Sequence, residues 1–167
     1  MATNEAEMQE KLGGAPQSKQ ALRLWLRLLT CTTLIENRIR NQLRAEFDTT
    51  LPRFDVLAAL DRYPDGLTMG ELSRCLMVSN GNVTGVVNRL VTDGLVSRTA
   101  SPADRRTHFV RLTDKGQEDF RRMAEVHHGW VESMFSGIDA ADADQLYNEL
   151  ERLKRSVFAF DEKSETS

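Results

Sequence analysis

The sequence predicts a mainly α-helical chain carrying one small β-hairpin. Three observations point to that class. Apolar residues recur at spacings of three and four through both ends of the chain, which is the helical period. Two short segments, 95–99 and 108–112, alternate as strands do, with Pro102-Ala103-Asp104-Arg105-Arg106 between them as a hairpin tip. Ten glycines, four prolines and 7% aromatic residues over 167 positions favour helix over sheet.

Each element has a local reason. Residues 1–18 are polar and contain Gly13, Gly14 and Pro16, which suits a flexible N-terminal arm; the tail 161–167 reads likewise. A long helix is expected over 19–47, where Leu22, Trp25, Leu29, Ile35, Ile39 and Leu43 repeat on one side. Pro52 suits the first turn of a second helix over 53–62, which Tyr63-Pro64-Asp65-Gly66 ends as a turn. Thr68 and Glu71 have capping-box spacing and open a short helix to Leu76. After three residues, Ser79 is placed to cap a helix over 80–93, which Gly94 closes. The hairpin follows. Thr113 then caps a helix over 114–135, broken at Gly137. Asp139 caps a last helix in which Leu146, Leu150, Leu153, Val157 and Phe160 step by four, three, four and three.

Charge narrows the function. The net charge of −3 excludes a protein that holds polyanions by bulk positive charge, yet it leaves room for a local basic patch. Between Leu72 and Leu112 six arginines stand against two aspartates, whereas residues 132–167 hold four basic and nine acidic side chains. Arginine suits bidentate contacts to phosphates and guanine edges. Two short helices joined by three residues, then a hairpin tipped with arginines, describe a winged helix–turn–helix. In its second helix Val83, Val86, Val87 and Leu90 form a stripe to be buried. The opposite face carries Asn80, Gly81, Asn82, Thr84, Gly85, Asn88 and Arg89. Each mid-helix glycine costs about 1 kcal/mol against alanine. Two of them between amides and a hydroxyl point to close backbone approach to DNA, with Ser79 at the helix start and Arg105 and Arg106 on the hairpin as further contacts.

The stretch from Gly66 to Phe120 resembles the DNA-binding core of the multiple-antibiotic-resistance regulator (MarR) family of bacterial transcription factors. The residues that carry the resemblance are Leu67-Thr68-Met69-Gly70-Glu71-Leu72, Ser79 to Leu90, and Asp93-Gly94-Leu95-Val96. The most specific are Asp104-Arg105-Arg106 with Val110-Arg111-Leu112-Thr113 and Lys115-Gly116. The flanking helices fit as well. Two cysteines far apart without a CxxC make a reducing cytoplasm the expected compartment. The resemblance implies a homodimer on double-stranded DNA, its dimerisation lobe formed by 19–47 and 114–160 and its DNA-binding lobe by 52–113. It implies 80–92 as recognition helix, Arg106 as a minor-groove contact and Asp104 as the residue that orients the wing.

A small-molecule effector is expected too. Residues 24–33 are apolar nearly all round, and Trp25, Phe54 and Trp130, with Arg38 and His127, would suit an aromatic carboxylate if the family's architecture holds. These segments also look like the family's aromatic-acid branch, some of whose members sense aromatic acyl-CoA thioesters. The expected function is therefore a ligand-released repressor on an inverted-repeat operator. No nucleophile–base set, phosphate loop or metal-ligand spacing is present in the sequence, so no enzyme, cofactor or metal is expected. Nor is any apolar run long enough for a membrane span. Two rivals remain at this point. One is a helical dimer whose winged domain binds only protein; the other is a regulator that senses oxidants through Cys31 or Cys75, which are otherwise expected to be buried and inert.

Overall fold

The computed structural model describes residues 16–100 and 108–164. Its elements, in order, are α1 (Pro16–Phe47), α2 (Leu51–Arg62), β1 (Leu67–Thr68), α3 (Met69–Leu76), α4 (Asn80–Thr92), β2 (Val96–Ala100), β3 (His108–Leu112), α5 (Asp114–Phe135) and α6 (Ala140–Ser164). The chain divides into two compact units, with the boundary after Glu125. The helices and the hairpin stand where the sequence places them. Two ends differ: α1 opens at Pro16 inside the expected arm 1–18, in keeping with the tolerance of proline in a first helical turn, and α6 runs on to Ser164 through the first part of the expected tail 161–167.

The first unit is organised around a three-stranded antiparallel sheet of order β1-β3-β2. In β2 and β3 the register runs from Val96 opposite Leu112 to Ala100 opposite His108. Sequence alternation foretold those two strands and missed β1, whose two residues pair with Val110 and Phe109. A two-residue strand has no period to read; it exists because β3 offers it a partner. Gly66, which leads into β1, has φ +86°, and a Cβ there would lie 2.6 Å from Arg111 Cγ and 2.8 Å from the Val110 carbonyl oxygen. Only glycine serves at that corner.

Helices α2, α3 and α4 pack over the sheet. Leu43, Val56, Leu57, Leu60, Leu72, Val83, Val87, Leu90 and Val110 are each less than 2% exposed and make the centre of the core. Phe54 joins them, 6% exposed, with its ring centroid 5.5 Å from that of Phe120 on α5. At roughly 1.5–3 kcal/mol for each large aliphatic or aromatic side chain withdrawn from water, this cluster is the main favourable term for the lobe.

The capping box at α3 forms as its spacing requires. Glu71 Oε2 accepts from the Thr68 amide and hydroxyl, both at 2.8 Å, and the Glu71 amide donates to Thr68 Oγ1 at 3.3 Å. Those bonds, the one from the Thr68 amide above all, hold the Glu71 carboxyl below its ordinary pKa. Thr113 caps α5 by accepting from the Gly116 amide at 3.0 Å, and its own hydroxyl donates to the Gly94 carbonyl at 2.7 Å. Ser79 occupies the N-cap position of α4 but makes no side-chain capping bond. The cysteines need correction: Cys31 and Cys75 are both exposed in the single chain, not buried. Helical spacing gave them no assignment to either face, and the buried side of α3 is taken by Leu72.

The second unit holds the end of α5 and all of α6. Asp139 Oδ1 accepts from the Asp142 amide at 2.9 Å, which starts α6. The apolar series on that helix, Leu146, Leu150, Leu153 and Val157, is 38–54% exposed.

Candidate nucleic-acid interface

Helix α4 is held firmly by one side and at its end. Val83, Val87 and Leu90 face the core at 1% exposure or less. At the C-terminal end, Asp93 pairs with Arg53 of α2 at 2.6 Å, and Lys115 Nζ donates to the Asp93 carbonyl at 2.9 Å. Lysine beside the last carbonyls of a helix also meets the negative end of its dipole. The start of α5 presses against the same corner: a Cβ on Gly116 would lie 2.0 Å from the Leu95 carbonyl oxygen. The helix is thereby fixed to α2, to the base of the hairpin and to the start of α5, so its outer face is presented in one orientation.

That outer face bears Asn80, Asn82, Thr84, Asn88 and Arg89, all exposed, with Ser79 exposed just before them. Gly81 and Gly85 lie among these, and a Cβ at either would meet nothing within 4 Å. The fold therefore does not require glycine at these two sites. The Thr84 hydroxyl donates to the Asn80 carbonyl at 2.7 Å, so the side chain offers a methyl group and acceptor lone pairs outward. Asn side chains supply the paired donor and acceptor that match an adenine edge, and Arg89 supplies a fork for guanine or phosphate. On β3, Arg111 donates from Nε to the Asp65 carbonyl at 2.6 Å and lies 5.9 Å from the Phe109 ring. That arginine braces the corner at Gly66. Asp104, Arg105 and Arg106, the wing residues of the sequence reading, lie outside the described residues.

The expected effector contacts fall in different settings. Trp25 is 57% exposed and Arg38 is exposed, both on α1, whereas Phe54 sits in the core of the first unit. In the second unit, His127 and Trp130 form an edge-to-face pair with ring centroids 6.2 Å apart. Desolvation, and then the neighbouring His128, hold the His127 pKa below its ordinary value, which favours a neutral imidazole. A cleft of about 820 Å³ in the first unit is a poor place for an anion: Asp61, Asp114, Glu118 and Glu125 line it against the single cation of Arg121. Sequence reasoning missed the Arg53–Asp93 pair, because forty residues separate the partners and nothing in their spacing signals it.

Comparison with known proteins agrees with this geometry. Residues 47–107 match the model of the MarR family. The transcriptional activatory protein BadR of Rhodopseudomonas palustris is 32% identical over 142 residues, 81% of each chain. The transcriptional repressor IacR of Pseudomonas putida is 31% identical over 110 residues, covering 66% of this chain and 65% of that one. Among solved structures, a MarR family transcriptional regulator from Silicibacter pomeroyi superposes with a TM-score of 0.75 at 33% identity, over 86% of this chain and 99% of that one.

Proposed function

The chain belongs to the MarR family of DNA-binding transcriptional regulators, and from that premise we propose that it acts as a homodimeric repressor released by a small aromatic ligand. Its operator is an inverted repeat with half-sites about one helical turn apart, roughly 10 bp, as two-fold symmetry of a paired major-groove reader requires. The observation that carries the reading is the outer face of α4. Its amides, threonine and arginine are exposed on a helix whose other face is buried, and two glycines there have open space around them. Glycine weakens a helix by about 1 kcal/mol per position, so its use where the fold has no need of it favours close approach of a ligand backbone. Asn80, Asn82, Thr84, Asn88 and Arg89 read base edges, Ser79 and Arg105 meet phosphate, and Arg106 enters the minor groove with Asp104 orienting the wing.

Footprinting on the upstream intergenic DNA tests this. Two protected half-sites in inverted repeat are expected, with Asn82→Ala and Thr84→Ala relaxing base preference and Arg106→Ala weakening binding at matched salt. A single unpaired half-site, or unchanged affinity in Arg106→Ala, counts against it. Sedimentation at micromolar protein should give a dimer, since the exposed Leu146, Leu150, Leu153 and Val157 stripe suits burial against a second copy.

The effector is an aromatic carboxylic acid or its CoA thioester. His127 beside Trp130 on α5 sets a polar group next to a ring, the combination such a ligand needs, and its lowered pKa favours the neutral imidazole. Trp25 and Arg38 stand apart along α1 and supply a ring and a cation separately. Phe54 is buried in the core of the first unit against Phe120, so its ring supports the core more than a ligand. Binding of effector and operator are then reciprocally weakened by one factor, worth about 1–3 kcal/mol in a useful switch. The chain has two tryptophans, Trp25 and Trp130, so intrinsic fluorescence reports the titration. Benzoate- and cinnamate-type acids and their thioesters should bind below millimolar concentration and lower operator affinity. Binding that leaves the operator complex unchanged refutes ligand release.

A further inference from the structure

The turn between α3 and α4 contains a residue that folding does not explain. Met77 closes α3 in the left-handed conformation, φ 53° and ψ 37°. Its amide donates to the Arg74 carbonyl and the Val78 amide to the Ser73 carbonyl, each at 3.2 Å, which is the paired-bond cap that glycine ordinarily serves. The Ser73 hydroxyl adds a bond to the Val78 carbonyl at 2.5 Å, so the turn is firmly held. A Cβ in this region clashes with its own carbonyl oxygen, and methionine has no polar group to compensate locally. Nor does the side chain gain by burial, for Met77 is 87% exposed. A glycine would thus serve the backbone better and cost the core nothing.

We propose that Met77 is a specificity-determining residue for DNA, whose thioether chain contacts a thymine methyl beside the start of α4. This rests on the reading of α4 as the helix that enters the major groove. Such a helix goes in by its N-terminal residues, and Met77 stands two residues before the N-cap Ser79, on a turn whose next residue, Val78, is also 43% exposed. The thymine C5 methyl is the apolar mark of the major groove, and methionine is the side chain best able to adapt its shape to it. The strained backbone aims the side chain outward in a fixed direction.

The test uses the full-length protein and a duplex operator that it selects from a random-sequence library. Affinities are measured for wild type, Met77→Gly, Met77→Leu and Asn82→Ala, on the operator and on versions in which uracil replaces thymine at single positions. At one position per half-site, uracil should weaken the wild type about fourfold, the worth of one methyl group withdrawn from water. Met77→Gly, which removes the contact in both half-sites of the dimer, should weaken binding by about the square of that factor and be indifferent to uracil at that position, while Met77→Leu keeps most of the affinity and of the discrimination. The dependence of affinity on salt should not change, because no phosphate contact is lost. Met77→Gly should also unfold about 1–3 °C higher, since the left-handed strain is gone. Wild-type affinity in Met77→Gly, or a loss equal on thymine and uracil at every position, overturns the proposal. A lower unfolding temperature in Met77→Gly does so as well, by giving the side chain a structural role. If Asn82→Ala also binds as wild type, the groove reading of α4 fails with it; if Asn82→Ala is impaired and Met77→Gly is not, only the role of Met77 falls.

Discussion

Helices α4 and α6 carry the same signal in sequence and meet opposite fates in the fold. Each has aliphatic residues spaced at three and four. In α4 those residues, Val83, Val87 and Leu90, are at most 1% exposed; in α6 Leu146, Leu150, Leu153 and Val157 are 38–54% exposed. Periodicity therefore states that a face must be covered but not by which chain. The first helix finds its cover in α2, α3 and the sheet. The second waits for a surface outside its own unit, which under the dimer proposal is a second copy.

The largest effect that would sharpen this contrast is a pair of leucine truncations. Leu90→Ala should lower the unfolding free energy by about 2–5 kcal/mol at any protein concentration, as for other buried leucines. Leu150→Ala should cost most at high concentration, where copies associate, and progressively less on dilution, because its burial comes with association. Urea unfolding at two concentrations a hundredfold apart checks both. A Leu150→Ala loss that ignores concentration would remove the distinction between the two helices.

The opposite faces of α4 make the next contrast. Asn82→Ala, on the outer face, should change stability by less than about 0.5 kcal/mol while lowering operator discrimination by about 1–3 kcal/mol at its base pair. Competition binding against single-base operator variants, beside thermal unfolding, would show whether the two faces are separable.

Asp55 contrasts with both, being a half-buried acid at the junction of α1 and α2. Burial, and then Glu36, push its pKa up to about 6 against the partial offset of Arg40. The folded state therefore favours the protonated carboxyl more than the unfolded chain does. The stabilisation from this group is complete below about pH 4 and is lost as pH rises through 6. Asp55→Asn should accordingly be more stable at pH 7 by about 1–2 kcal/mol, an effect held down by partial solvent screening, and should lose that advantage on acidification. Unfolding midpoints from pH 4 to pH 8 measure it. Smallest is Arg53→Gln, which removes the pair with Asp93 at the end of α4. With one partner nearly half exposed, it should cost below about 1 kcal/mol and fade in 1 M salt.

What could be read in advance was local. Thr68 and Glu71, three apart, announced the capping box, and the alternation in 95–99 and 108–112 announced the hairpin. The amide-and-glycine face of α4 followed from the spacing of its valines. What stayed hidden depended on distant partners. Strand β1 needs β3, the Phe54 ring needs Phe120, and Arg53 needs Asp93. The left-handed turn at Met77 was hidden for a different reason: the residue that usually signals it, glycine, is not there.

The arrangement of α4 has a consequence for how regulators of this kind diversify. Open space surrounds the Cβ positions of Gly81 and Gly85, and Asn80, Asn82, Asn88 and Arg89 are all exposed. Substitutions across this face leave the packed stripe of Val83, Val87 and Leu90 untouched. Under the proposed groove reading of α4, mutations that rewrite the sequence preference thus fall where the folded state barely registers them. A duplicated gene can drift to a new operator through intermediates that all remain folded, so its regulatory target can change faster than its architecture.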